Sequence, residues 1–233
     1  MIQINKIIRQ IKQIEFIKRT HDKIRDYKVQ RKIAPYVKTL REIFDREYSV
    51  ITPNCFGGHV VQDLKMQYNT PTAGLYFMYP DYIEFLKDIK LYLTEAKIQF
   101  VNESKYPLGN ERLKNAEHWY PIGLLDGKIE IHFLHYKTEE EAASKWYRRS
   151  ARVNFDKLLI LGMEQNLCSK DDIVAFDSLT FEHKIMFSTQ DLHLDSNVYI
   201  KEFVKRGEVG NPYLDADVFY KYLIPKLKEI FNK

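Results

Sequence analysis

Isoleucine recurs through the first twenty residues at a helical period. Ile4, Ile7, Ile8, Ile11, Ile14 and Ile17 share one face of a helix, and Lys6, Arg9, Lys12 and Lys18 lie mostly off that stripe. After Pro35 short apolar runs alternate with amphipathic stretches. This pattern predicts strands over 48–52, 73–78, 97–101, 128–136, 158–161 and 184–187. Between them it predicts a helix over 59–68, and one opened by Pro80 in which Ile83, Leu86, Ile89 and Leu93 keep the period. Thr138 with Glu141 reads as a capping box for a helix reaching Arg152, and Ser169 with Asp172 starts another. A last helix covers 215–231. Residues 103–121 read as a long polar loop, a candidate part of a binding site. Strands and helices alternating at this rhythm indicate a layered α/β fold with a mostly parallel sheet, preceded by a basic amphipathic N-terminal helix. The chain divides on this reading into a helical extension, 1–41, and an α/β domain, 42–233.

Charge sharpens the division. The 233 residues carry 36 Lys and Arg against 32 Asp and Glu, a net +4. The first 41 residues hold twelve basic side chains against Glu15, Asp22 and Asp26, a net +9, which leaves −5 on the remainder. Such a helix can lie on an anionic membrane surface through residues 1–30, with its isoleucines buried and its lysines among acidic head groups. It can equally pack on the domain and solvate its basic face. The body is acidic and holds no recognition module, which counts against nucleic acid as a partner. No run approaches eighteen apolar residues, and the N-terminus lacks the apolar core and cleavage site of a secretory signal. Cys55 and Cys168 cannot make a disulfide framework or a four-cysteine zinc site. The expected location is cytoplasmic, with reduced thiols, and peripheral at the inner membrane face if the head binds lipid.

Candidate chemistry concentrates at 49–63. A strand ends at Asn54, Gly57 and Gly58 make a tight turn, and a helix begins, the place where open α/β sheets bind ligands. Amides at Gly57 and Gly58 would approach a phosphate or carboxylate closely, the alternative being a merely structural turn. Cys55 at the foot of the helix has a lowered thiol pKa if its sulfur points at the amides. It is then a nucleophile with His59 or His135 as base; a small buried apolar residue is the commoner fate of such a cysteine. His132 and His135, three apart on one strand, face opposite sides and cannot share a metal. His135, nearer the carboxyl end, is the candidate general acid or base, against a structural hydrogen bond to backbone. The helix from 138 begins acidic and ends basic, as the helix dipole favours. Its functional reading has Trp146 as an anchor while Arg149 and Arg152 clamp a phosphate or sugar acid. Glu164 follows a strand and is a candidate base or metal ligand. No spacing signals a particular metal or cofactor.

Several of these segments resemble one family. They are the Asn-Cys-Phe-Gly-Gly turn, Gln-Tyr-Asn-Thr-Pro-Thr at 67–72, the stretch from Tyr-Pro-Ile-Gly to Phe-Leu-His-Tyr at 120–136, the Lys145-Trp146, Arg149, Arg152 helix, and the 184–187 strand. Together they are similar to the bacterial domain of unknown function 1919 family, over about 46–205. The resemblance implies a three-layer α/β/α fold and a place in exopolysaccharide or capsule biosynthesis, a label its members often carry; it implies no reaction. With the glycine turn and the arginine helix beside this likeness, the leading expectation is a transferase acting on an activated nucleotide-sugar, phosphoryl or acyl donor and a glycan acceptor. The alternatives are a non-catalytic module that binds glycan or a synthase, and a cysteine-dependent hydrolase.

Overall fold

The computed structural model describes residues 2–231, with the side chains of 2–12, 14 and 15 outside the description. A single helix, α1 (Ile2–Ile43), runs through Pro35 and across the 41/42 boundary. Val29, Ile33, Val37 and Leu40, spaced four, four and three apart, are buried in the core of the body. The second half of α1 is thus part of the α/β unit rather than an extension of it. The Ile4, Ile7, Ile8, Ile11 and Ile14 stripe lies outside the described side chains, and Ile17 is exposed.

The chain then forms β1 (Ser49–Ile51), α2 (Phe56–Asp63), α3 (Tyr79–Lys87), α4 (Ile89–Thr94), β2 (Ile98–Val101), α5 (Pro107–Asn115), β3 (Ile122–Leu125) and β4 (Ile129–His132). It continues through α6 (Glu139–Ser150), β5 (Leu158–Met163), α7 (Lys170–Asp177), β6 (His183–Ser188), β7 (Asn197–Tyr199), a 3-10 turn (Lys201–Arg206) and α8 (Ala216–Ile230). Strands β1-β5-β6-β7 form a parallel sheet in that order. β5 shows why it must be covered on both faces. Leu159, Leu161 and Met163 join the core shared with α1, α2 and α8, while Ile160 between them joins Tyr82, Trp146 and Phe176 of α3, α6 and α7. Helices on both faces make the three layers.

A second sheet, β2-β3-β4, is antiparallel. Asp126 and Gly127 between β3 and β4 both have positive φ, and Lys128 N–H donates to Leu125 C=O at 3.0 Å, the hairpin turn that Asp-Gly favours. The outer strands of this sheet, β2 and β4, fall within the expected strands at 97–101 and 128–136, but β3, the antiparallel pairing, and α5 within the supposed loop at 103–121 were not expected. The expected strand over 73–78 is reduced to one bridge, Tyr76 to His132. Gly74, at φ +81, and the Thr70–Thr72 hydroxyl bond at 3.0 Å fold that segment into turns instead. β4 stops at His132, four residues short of the expected strand end. The capping signals fared better. Thr138 Oγ1 accepts from Glu141 N–H at the start of α6, and Ser169 and Asp172 form the reciprocal pair at the start of α7.

Candidate functional site

A cavity of about 780 Å³ opens where β1 and β5 end. Asn54 follows β1, Gln165 and Asn166 follow β5, and the loop at 208–214 closes one side. An amide chain fixes this floor. Asn54 Nδ2 donates to Gln165 Oε1 at 2.9 Å, and Gln165 Nε2 donates to the carbonyls of Val209 and Gly210 at 2.8 and 2.7 Å. Asn166 and Leu167 both take left-handed backbone, φ 56 and 69, costly for consecutive non-glycine residues and characteristic of functional turns. That turn aims the Asn166 side chain at α5, where its Oδ1 accepts from Arg112 Nη1 at 2.7 Å.

Arg112 is the cavity's chief cation. Its guanidinium lies 5.3 Å from the Tyr76 ring centroid, and among the described residues no carboxylate pairs with it. Tyr76 and Tyr120 share a hydrogen bond between their hydroxyls at 3.0 Å beneath it. The lining also holds Cys55, His59 and His135. Burial, with the His135 ring nearby, lowers the His59 pKa to about 4; burial lowers His135 too. Both imidazoles are neutral at pH 7. α1 supplies Arg25 and Asp26. Asp26 Oδ1 accepts from Tyr213 OH at 2.7 Å, and the Tyr213 ring packs on His59 with centroids 5.3 Å apart. Arg25, unlike Arg112, is neutralised, by Asp22 at 3.0 Å.

Of the residues singled out by the sequence, Asn54, Cys55, His59 and His135 line this cavity. Gly57 and Gly58 do not. They lie inside the first turn of α2, which begins three residues earlier than expected, and the chain itself caps that turn. Phe56 N–H donates to Asn54 Oδ1 at 3.0 Å and Gly57 N–H to Thr52 Oγ1 at 3.2 Å. A Cβ on Gly57 would stand 2.9 Å from Thr52 Oγ1, and one on Gly58 3.0 Å from Ala73 Cβ, so these glycines serve close packing rather than an anion cradle. The thiol of Cys55 moves opposite to the expectation for a helix foot. It faces the Leu75 carbonyl at 3.6 Å, and burial pushes its pKa up to about 12, which leaves almost no thiolate for nucleophilic attack.

Trp146 is enclosed in the core. Arg149 donates to Ala73 C=O at 2.9 Å and Tyr136 OH at 2.7 Å and covers the Tyr68 ring, while Arg152 reaches Tyr68 C=O at 3.4 Å. The two arginines clamp the chain's own 68–73 segment. Glu164 is buried and accepts from Thr189 N–H, Thr189 Oγ1 and Gln190 Nε2, which makes it a brace between the ends of β5 and β6. Among the described residues no three His, Cys, Asp or Glu side chains could hold a metal ion. No helix among them is long and apolar enough to cross a membrane.

Arg112, Tyr76 and Tyr213 carry no motif, whereas Tyr120 opens the 120–136 stretch. Arg112 and Tyr120 also fall inside 103–121, the segment expected to contribute to a binding site. The chain matches the family described as a domain of unknown function, DUF1919, over residues 25–230, and belongs to it. It is 33% identical over 172 residues to an uncharacterized protein of Haemophilus influenzae, covering 73% of this chain and 76% of that one. The family match begins at Arg25, where α1 reaches the cavity.

Proposed function

With membership of that family as the premise, we propose that the protein is a transferase that builds or decorates a bacterial surface polysaccharide. It would move a nucleotide-activated sugar, phosphoryl or acyl group to a glycan acceptor held in the cavity. One observation carries the reading: a guanidinium with neutral partners, Arg112, shares the cavity with two uncharged imidazoles. A donor phosphate or carboxylate supplies the counter-charge that Arg112 lacks. Neutral His135 takes the proton from the attacking acceptor hydroxyl as the donor's bond to its activating group breaks, and that group leaves as the anion held by Arg112. Tyr213, half-buried in the cavity lining, offers a ring for a sugar. The polysaccharide context comes from the family resemblance; the chemistry comes from the cavity. The basic half of α1 would keep this cavity at an anionic membrane surface.

Replacing Arg112 or His135 with Ala in a strain that makes the polymer is expected to abolish or alter the polymer. Unchanged polymer from both folded variants would sink the assignment. A non-catalytic glycan-binding module is the other reading of the same cavity, with Asn211 and Tyr213 in its lining. Melting temperatures separate the two readings: activated donors stabilise a transferase, whereas finished oligosaccharide alone stabilises the module.

A further inference from the structure

At about 100° per residue, His21, Arg25, Lys28 and Lys32 fall on one narrow stripe of α1, at spacings of four, three and four. Ile17 and Ile24 run along the edge of that stripe and are each 49% exposed. The stripe lines a groove of about 510 Å³ whose other side includes Leu214, itself 44% exposed, and no acidic residue lines it. Arg25 and Leu214 also line the main cavity, so the groove and the cavity adjoin. Within the stripe Arg25 is paired, with Asp22 at 3.0 Å and Asp26 at 3.8 Å, and Asp26 also accepts from Tyr213. Lys28 and Lys32 have no carboxylate partner among the described residues. A pair of unneutralised lysines beside an exposed aliphatic edge matches neither a sugar nor a simple anion. It matches an anion carried on an apolar chain.

We propose that this groove binds the phosphate or diphosphate ester of a long-chain lipid, with the head group on Lys28 and Lys32 and the chain along Ile17, Ile24 and Leu214. Resting on the transferase reading, the groove delivers a lipid-linked acceptor to the cavity; binding itself does not depend on that reading. The same phosphate chemistry occurs on bulk anionic lipid, and the experiment separates the sources. Full-length protein is titrated with farnesyl diphosphate, with inorganic diphosphate, and with phosphatidylglycerol vesicles, with no donor present. The expected result is saturable one-to-one binding of farnesyl diphosphate, at least tenfold tighter than inorganic diphosphate. Lys28→Gln and Lys32→Gln, both exposed positions that should fold normally, each weaken it about fivefold. Lys23→Gln, on the opposite face, leaves it unchanged. Equal affinity for inorganic diphosphate, vesicle adsorption without soluble-ester binding, or indifference to Lys28 and Lys32 each overturns the proposal. An inactive His135 variant that still binds the ester would show the groove to be right whatever becomes of the transferase assignment.

Discussion

His59 couples the cavity to pH. Its imidazole is neutral in the fold until about pH 4, whereas an unfolded histidine protonates near 6.5. Between those values the unfolded chain binds more protons, so stability falls as the pH drops from 6.5 towards 4, by about 2 kcal/mol from this residue. Urea denaturation at pH 7.5 and 4.5 should show His59→Gln losing less stability than the unaltered protein over that interval; equal losses would mean that His59 titrates freely. The candidate site at this scale was legible only in part. His135 and His59 were readable because a histidine near a strand's carboxyl end, or opening a helix, falls at the ligand-binding edge of an α/β sheet. The glycines and arginines looked equally chemical but are spent on the fold. Gly57 and Gly58 admit Thr52 and Ala73, and Arg149 and Arg152 bind carbonyls in the turn at 68–73. Local sequence does not reveal whether an arginine's partner is a ligand or the chain's own backbone.

At the scale of elements, α5 governs the cation. It seats on a buried polar cluster in which Glu130 accepts from Ser104 Oγ, from Lys105 N–H at 2.7 Å and from His132 Nε2 at 2.7 Å. Burial pushes the Glu130 carboxyl up, but the donors from His132, Ser104 and Lys105 outweigh it and hold the pKa below the usual range. Gly109 lets α5 approach this cluster: a Cβ there would meet Ser104 Oγ at 2.2 Å and His132 Cε1 at 2.8 Å. Gly109→Ala should therefore cost about 2 kcal/mol of stability despite its better helix propensity, and should move Arg112 out of place. Denaturant midpoints and amide exchange over 107–115 would check it, and a variant as stable and protected as the original would show that α5 tolerates displacement. The long elements, the Ser169–Asp172 capping box and the Thr138 N-cap were legible because they are local. The β3–β4 hairpin was legible in principle from Asp126-Gly127 between apolar runs. β7, three residues long, has no period to read, since its place comes from pairing with β6.

For the whole molecule, the charge contrast between a +9 head and a −5 body is real, yet it does not mark a structural border. Burying Val29, Ile33, Val37 and Leu40 at about 1.5–3 kcal/mol each amounts to a stabilisation comparable to that of an entire domain. Deleting residues 1–20 should leave the melting temperature within a few degrees, whereas deleting 1–40 should leave no cooperative unfolding transition. A folded product of the longer deletion would restore the idea of a separable extension. The parallel sheet has a further consequence, in the order of assembly. Ser49 in β1 lies opposite Leu158 in β5, and everything that builds the antiparallel sheet is threaded between them. The hairpin sheet closes over short spans and can form while the chain is still being made; β1 must wait for β5. During synthesis the apolar strand β1 and the basic helix before it are exposed together, and the helix's charge is then the chain's main protection against premature association.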